Sequence, residues 1–221
     1  MTKPDLPAAK SAAAEAAIRH LSQADAVLAA LIARGRAIEA SSHEDLYLAL
    51  LRAIVSQQIS TKAAAAIWKK VQALFAPDGY PEPAALLLLT DEDLRTAGIS
   101  RQKAGYLRAI ANFAQREQLD HSYLSQLAPD EFTQHLTQIK GVGRWTAQML
   151  QMFALDQPDV FPEGDLGIQN AMRKHYGLPE TGRALLRRMT EIAEPWRPYR
   201  TLASKYLWQS LDNAPNEKPP A

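Results

Sequence analysis

Two carboxylates, Glu163 and Asp165, stand two residues apart in the segment VFPEGDLGI, and two glycines, Gly141 and Gly143, lie upstream in KGVGRWTAQML. Brought together, these pieces suit one kind of chemistry. A helix that opens just after a glycine turn leaves its first N–H groups unpaired and carries partial positive charge at that end. A phosphate fits there without help from any side chain, and Lys140 and Arg144 offer ionic contacts to neighbouring phosphates. Such a grip positions a nucleic-acid backbone and reads no base. A carboxylate beside it would stabilise positive charge on a sugar as a base departs, and would orient or deprotonate a water. This is the logic of glycoside hydrolysis with a nucleobase as leaving group. Each piece also has a plainer reading. A G-x-G between helices serves a simple corner, and an aspartate ahead of a helix is an ordinary N-cap worth about 1 kcal/mol. The residue chemistry alone does not choose between Glu163 and Asp165.

Helices must carry these residues. Alanine, leucine and glutamine dominate the 221-residue chain and β-branched residues are sparse, which favours an all-α fold. The stretch AAKSAAAEAAIRHLSQADAVLAALIARG reads as two helices broken over residues 22–25, with Ser22 capping the second and Gly35 closing it. DLYLALLRAIVSQQISTKAAAAIWKKVQALF holds two more, broken at QQIS, with Ser60 or Thr61 as the cap. Thr90 and Asp93 have capping-box spacing before a short helix that Gly98 ends. SRQKAGYLRAIANFAQRE is amphipathic, with Ala104, Leu107, Ile110 and Phe113 on its core face. Beyond the glycine turn, a proline-bearing connector leads to a helix starting near Leu166, then one stopped by Pro195, then RPYRTLASKYLWQS. About ten helices are expected, with no strand and no fixed-period repeat. They are expected to divide into residues 1–45 packing with a C-terminal subdomain, a central subdomain over 46–160 that ends in the glycine turn, and a C-terminal subdomain over 161–212 that carries the acid. Residues 213–221 read as a disordered tail.

Composition removes several classes of function. With no cysteine there is no disulfide, thiolate zinc site, iron–sulfur cluster or cysteine nucleophile. No apolar run approaches the roughly 20 residues of a membrane span, and the first residues lack a secretory core, so a cytoplasmic protein without membrane contact is expected. A net charge of +1 does not by itself announce nucleic-acid binding. The five histidines show no metal-ligand spacing, and His175 reads as a surface residue. Arg183, Arg187 and Arg188 read as a solvated face, Arg200 as the partner of a buried carboxylate, and Trp196, Tyr199 and Trp208 as packing residues.

The wider string L-x-x-I-x-G-V-G-x-x-T-A, which includes Thr146, resembles the helix-hairpin-helix motif of DNA-binding proteins. Together with Asp165 and WRPYRTLASKYLW it resembles the helix-hairpin-helix DNA glycosylase superfamily, and within it the 3-methyladenine DNA glycosylase II branch, over roughly residues 45–208. The resemblance implies two helical subdomains with a cleft between them, in a compact form without the extra β-rich N-terminal domain of some relatives. It places the catalytic acid on Asp165 and the backbone grip on Gly141, Gly143, Lys140, Arg144 and Thr146. The plug that fills the gap left by an extruded base falls on Gln58, with Gln57 beside it. The opposing wedge falls in GIS, on Ile99 with Ser100. The carbonyls of Thr137, Ile139 and Val142 match positions that hold Na+ or K+ in relatives, and no other cofactor is implied. Trp145 and Trp208 are the pocket aromatics, although the last-helix aromatic of some relatives aligns nearer Lys205. Bifunctional relatives carry a Schiff-base lysine where Trp145 stands, which implies a monofunctional hydrolase.

The implied activity is removal of alkylated purines, 3-methyladenine and 7-methylguanine, with ethenoadenine as a further candidate. The substrate would be damaged double-stranded DNA and the enzyme a monomer, nucleoid-associated if the source is bacterial. Competing expectations are a DNA-binding module without catalysis, a glycosylase for mismatched or oxidised bases, and an all-helical scaffold whose glycine turn is only a corner.

Overall fold

A computed structural model of the chain describes residues 6–38, 45–117, 119 and 121–212, and the expected tail over 213–221 lies outside them. Every regular element among the described residues is a helix, with no strand among them. The chain divides into two compact units: residues 41–156, and residues 1–40 together with 157–221. The breaks thus fall a few residues before the expected 45/46 and 160/161 boundaries.

The first unit contains α3 (Leu46–Ser56), α4 (Thr61–Ala73), α5 (Pro83–Leu88), α6 (Asp91–Thr96), α7 (Arg101–Arg116), α8 (His121–Leu124), α9 (Pro129–Thr137) and α10 (Arg144–Phe153). The long helix α7 is its axis. Ala104, Leu107, Ile110 and Phe113 recur at helical spacing on α7 and are buried, where they meet Leu50, Ile54 and Leu86 in one core. Helices α3, α5 and α6 pack on α7, while α10 packs on α9 and α3. Thr90 and Asp93 form the expected capping box: the Thr90 hydroxyl accepts from the Asp93 amide, and the Asp93 carboxylate accepts from the Thr90 amide at 2.8 Å. The Thr90 hydroxyl also donates to the Asp93 carboxylate at 2.7 Å, and this bond, helped by the one from the Thr90 amide, holds the Asp93 carboxyl below the ordinary carboxylate range.

The second unit contains α1 (Leu6–Ala24), α2 (Ala26–Arg34), α11 (Leu166–Tyr176), α12 (Gly182–Ala193), a 3-10 turn (Glu194–Trp196) and α13 (Arg200–Asp212). Leu21 and Leu28 share a core with Ile168, Met172, Met189, Trp196 and Leu207. Among the described residues the helices exceed the expected ten because short ones such as α5, α6 and α8, of four to six residues, give weak periodic signals. The cap of α2 is Asp25, not Ser22. Its Oδ1 accepts from the amides of Val27 and Leu28 at 2.8 and 3.0 Å, and its Oδ2 accepts from the Tyr176 hydroxyl and the Trp196 indole at 2.9 and 3.0 Å. One carboxylate therefore ties the N-terminal helices to the C-terminal ones. A cap chosen on local grounds could not show that Trp196, fully buried, needs a distant acceptor.

Candidate active site

The glycine turn is built from the core outward. Helix α9 ends at Thr137, the Ile139 amide closes on the Leu136 carbonyl, and the Val142 amide donates to the Ile139 carbonyl at 3.0 Å. Gly141 has φ +95°, and a Cβ there would lie 2.4 Å from Cγ of the Tyr106 ring. Both the backbone angle and the close approach demand glycine. Gly143 is different. Its backbone is extended and a Cβ would meet nothing within 4 Å among the described residues, so none of them requires its lack of a side chain. It is the N-cap of α10 and supplies no side-chain cap to the first amides. Open space at the start of a helix is what an external anion needs. Lys140 and Arg144 flank it, both exposed. Trp145, in the first turn of α10, is 43% exposed, high for so large an apolar ring. Thr146 does not share that exposure: at 3% it belongs to the packed face of α10, so its hydroxyl is not presented to a backbone phosphate.

Gln57 and Gln58 form the turn between α3 and α4. Gln58 is exposed and holds φ +59°, a left-handed conformation that costs a non-glycine residue about 1–3 kcal/mol. The Gln57 side-chain amide reaches the Gly141 carbonyl at 3.4 Å, a long bond that joins this turn to the hairpin. The expected wedge is corrected. Ile99 is 3% exposed and packs in the core of its unit. Its amide donates to the Leu94 carbonyl and that of Gly98, at φ +92°, to Arg95. This is the glycine-closed helix end in which the residue after glycine packs back on the helix. The signal was in the sequence, since an apolar residue following a helix-ending glycine is a core residue first. Ser100, on the far side of that end, is exposed and caps α7 through the Lys103 amide.

In the other unit, the connector to Asp165 is pinned to the start of α13. Arg200 donates Nε to Asp159 Oδ1 at 2.6 Å and Nη2 to Oδ2 at 3.0 Å, a two-pronged pair. The Thr201 hydroxyl donates to the Gln157 carbonyl at 2.7 Å and accepts from the Val160 amide at 3.0 Å. The Asp165 amide then donates to the Pro162 carbonyl at 2.9 Å. Asp165 is the N-cap of α11, and its Oδ1 accepts from the Ile168 amide at 2.9 Å and from the Trp208 indole N–H at 2.8 Å. The capping reading is therefore true, and it is compatible with a second task. Two donors on one oxygen fix the plane of the carboxylate. Trp208 packs against the core and presents its polar edge to the acid, so it serves as packing residue and holder at once. Gly167 makes this possible: a Cβ there would lie 3.0 Å from Asp165 Oδ1 and 3.0 Å from both Cδ1 and Nε1 of Trp208. Sequence reasoning passed over Gly167, whose only signal is a glycine in the first turn of a helix. Glu163 lends its backbone, its carbonyl accepting from the Gln169 side-chain amide at 3.1 Å. Leu166, beside the acid, is 69% exposed.

An open glycine hairpin in one unit and a rigidly held acid in the other suit a helical protein that acts on DNA. Residues 51–198 match the family model described as the HhH-GPD superfamily of base excision DNA repair proteins, and the chain belongs to that superfamily. It is 32% identical over 198 residues to DNA-3-methyladenine glycosylase 1 of Schizosaccharomyces pombe, covering 87% of this chain and 84% of that one. Among solved structures, the S. pombe 3-methyladenine DNA glycosylase Mag1 in complex with abasic DNA matches with a TM-score of 0.77 over 90% of this chain and 97% of that one. A DNA-3-methyladenine glycosidase from Bacillus halodurans matches with a TM-score of 0.78 at 31% identity, covering 89% of each chain. The protein is a base excision repair glycosylase.

Proposed function

We propose that the chain is a monofunctional glycosylase that hydrolyses the N-glycosidic bond of alkylated purines, 3-methyladenine and 7-methylguanine first among them, in double-stranded DNA. The observation that carries this reading is the fixing of Asp165 by the Ile168 amide and the Trp208 indole, in a chain whose relatives bear 3-methyladenine glycosylase names.

The target base is stacked inside the duplex and must be everted. Gln58 enters the stack from an exposed turn, and the amides beyond Gly143, with Lys140 and Arg144, grip the backbone. The exposed Trp145 ring offers a face to the everted base. In DNA, 3-methyladenine and 7-methylguanine are cationic, and an aromatic face attracts such a base by about 0.5–2 kcal/mol. Its positive charge also makes it a good leaving group. As the bond from the sugar C1′ to the base nitrogen breaks, its electron pair leaves with the base and the sugar gains oxocarbenium character. The Asp165 carboxylate stabilises that charge. It then takes a proton from the water whose oxygen bonds to C1′, leaving an abasic site. Tryptophan at 145 supplies no amine for a Schiff base, which supports hydrolysis without strand cleavage.

The carbonyls of Thr137, Ile139 and Val142 are neutral, hard oxygen donors of the kind that suit Na+ or K+. The Ile139 oxygen already accepts from the Val142 amide and keeps a second lone pair. A cation held there would add positive charge at the hairpin's phosphate-facing turn. The enzyme is proposed to act as a monomer in the compartment that holds the DNA, and no described helix is long and apolar enough to cross a membrane.

The test is to incubate the protein with methylated duplex DNA and measure free bases by chromatography. The wild type should release 3-methyladenine, and Asp165→Asn should lose that release by about a hundredfold or more, the scale of removing a charge-stabilising group. Equal release by both proteins would move the acid elsewhere. Trapping of a covalent adduct by borohydride would overturn the monofunctional reading.

A further inference from the structure

Lys103, in the first turn of α7, has no part in the chemistry above. Its ammonium donates to the Val55 carbonyl at 2.7 Å and to the Gln57 carbonyl at 2.9 Å. These oxygens belong to the C-terminal end of α3 and to the turn beyond it. A cation suits a helix C-terminus, where carbonyls lack amide partners and the dipole is negative. The lysine is half-buried, and burial pushes its pKa down. A surface lysine would be held in bulk water, so its desolvation here calls for a reason.

The reason lies in the next residue. Gln58 holds its left-handed φ of +59° directly after the carbonyl that Lys103 grips. Strained conformations of this kind persist only where the surroundings over-determine them. One helical turn along the same face of α7, the Tyr106 ring fills the space beside Gly141, and the Gln102 side-chain amide donates to the Tyr106 hydroxyl at 2.8 Å. The Gln57 amide closes the circuit on the Gly141 carbonyl. The first two turns of α7 thus touch the α3–α4 turn through Lys103 and the hairpin through Tyr106.

We infer that Lys103 is a positioning residue that clamps the Gln58 turn to α7 and so sets the stack-filling side chain at a fixed distance from the phosphate-gripping hairpin. The inference rests on the reading of Gln58 and the hairpin as DNA-contacting elements. Gln58 then reaches the duplex already in its inserted shape, and ordering it is not charged against binding.

The test measures binding rather than base release. Fluorescence anisotropy gives the Kd for a short duplex carrying a tetrahydrofuran abasic-site analogue and for the same duplex undamaged. The ratio of the two reports gap filling, whereas a general loss of folded protein lowers both affinities alike. Lys103→Met keeps the aliphatic stem and removes the ammonium. It should reduce the preference for the gapped duplex by about tenfold, the scale of a charge-assisted hydrogen bond. Gln58→Ala should reduce it similarly, and the double variant should fall no further than either alone. Lys103→Gln retains one donor, should lose less, and carries the test if Lys103→Met melts too low to assay. Wild-type preference in both lysine variants, or losses that multiply in the double variant, would overturn the inference. A wild type that releases no methylated purine, yet shows a gap preference that Lys103→Met abolishes, would sink the alkylpurine reading and leave the clamp standing. Release of methylated purines with a gap preference indifferent to Lys103 would do the reverse.

Discussion

Replacing Gly167 with alanine places a methyl carbon 3.0 Å from Asp165 Oδ1 and from two atoms of the Trp208 indole. Favourable carbon contacts begin near 3.5 Å, so the acid and the ring must each yield by about half an ångström. Both are anchored, the acid by the Ile168 amide and the ring by core packing, so the bond between them takes the strain. A misplacement of about 1 Å at a reacting group costs on the order of a hundredfold in rate, and half of that costs about tenfold. Stability should move the other way or hardly at all. Alanine is favoured over glycine within a helix by about 0.5–1 kcal/mol, which offsets the crowding. The expected signature is a kcat about tenfold lower with a melting temperature close to that of the wild type. Single-turnover release of 3-methyladenine, run beside a thermal melt, reads both. Gly164→Ala is the control, since a Cβ there meets nothing within 4 Å. A Gly167→Ala enzyme with wild-type kcat would refute the claim that the indole sets the acid, as would a rate loss that simply follows a falling melting temperature.

Asp25→Ala should destabilise the protein by about 3 kcal/mol. It removes an N-cap and leaves the buried Trp196 N–H and the Tyr176 hydroxyl without their acceptor, a loss that chemical denaturation followed by circular dichroism would read. Asp25→Asn, which keeps an acceptor oxygen, should lose less. Gly141→Ala meets both a forbidden φ and the Tyr106 ring, so its affinity for duplex DNA should fall at least about tenfold. The Tyr106→Ala background should restore only the steric share of that loss, measured by anisotropy at fixed salt. His175 sits against the Ser210 hydroxyl at 2.9 Å, and burial, helped by Lys174, pulls its pKa below 6.5. The folded state therefore favours the neutral ring. Its contribution to stability should be full above pH 6.5 and be lost as pH falls through the lower folded value, and His175→Gln should flatten melting temperature against pH in that window.

Much of this protein can be read residue by residue along the chain. The apolar spacing on α7, the Thr90–Asp93 box, the G-V-G turn and the start of α11 at Leu166 are local patterns, and each depends on neighbours within about one helical turn. The absence of cysteine and the tryptophan at 145 are equally plain along the chain. What the tertiary structure alone decided are the partnerships across long stretches of chain. These include Asp25 with Trp196, Asp159 with Arg200, Lys103 with the end of α3, and Trp208 with Asp165. A donor in the sequence does not announce which distant acceptor it meets, because packing sets that distance and periodicity does not. Ile99 shows the same limit from the other side: its place in the sequence made it a candidate for DNA contact, and burial against the helix it follows made it part of the core.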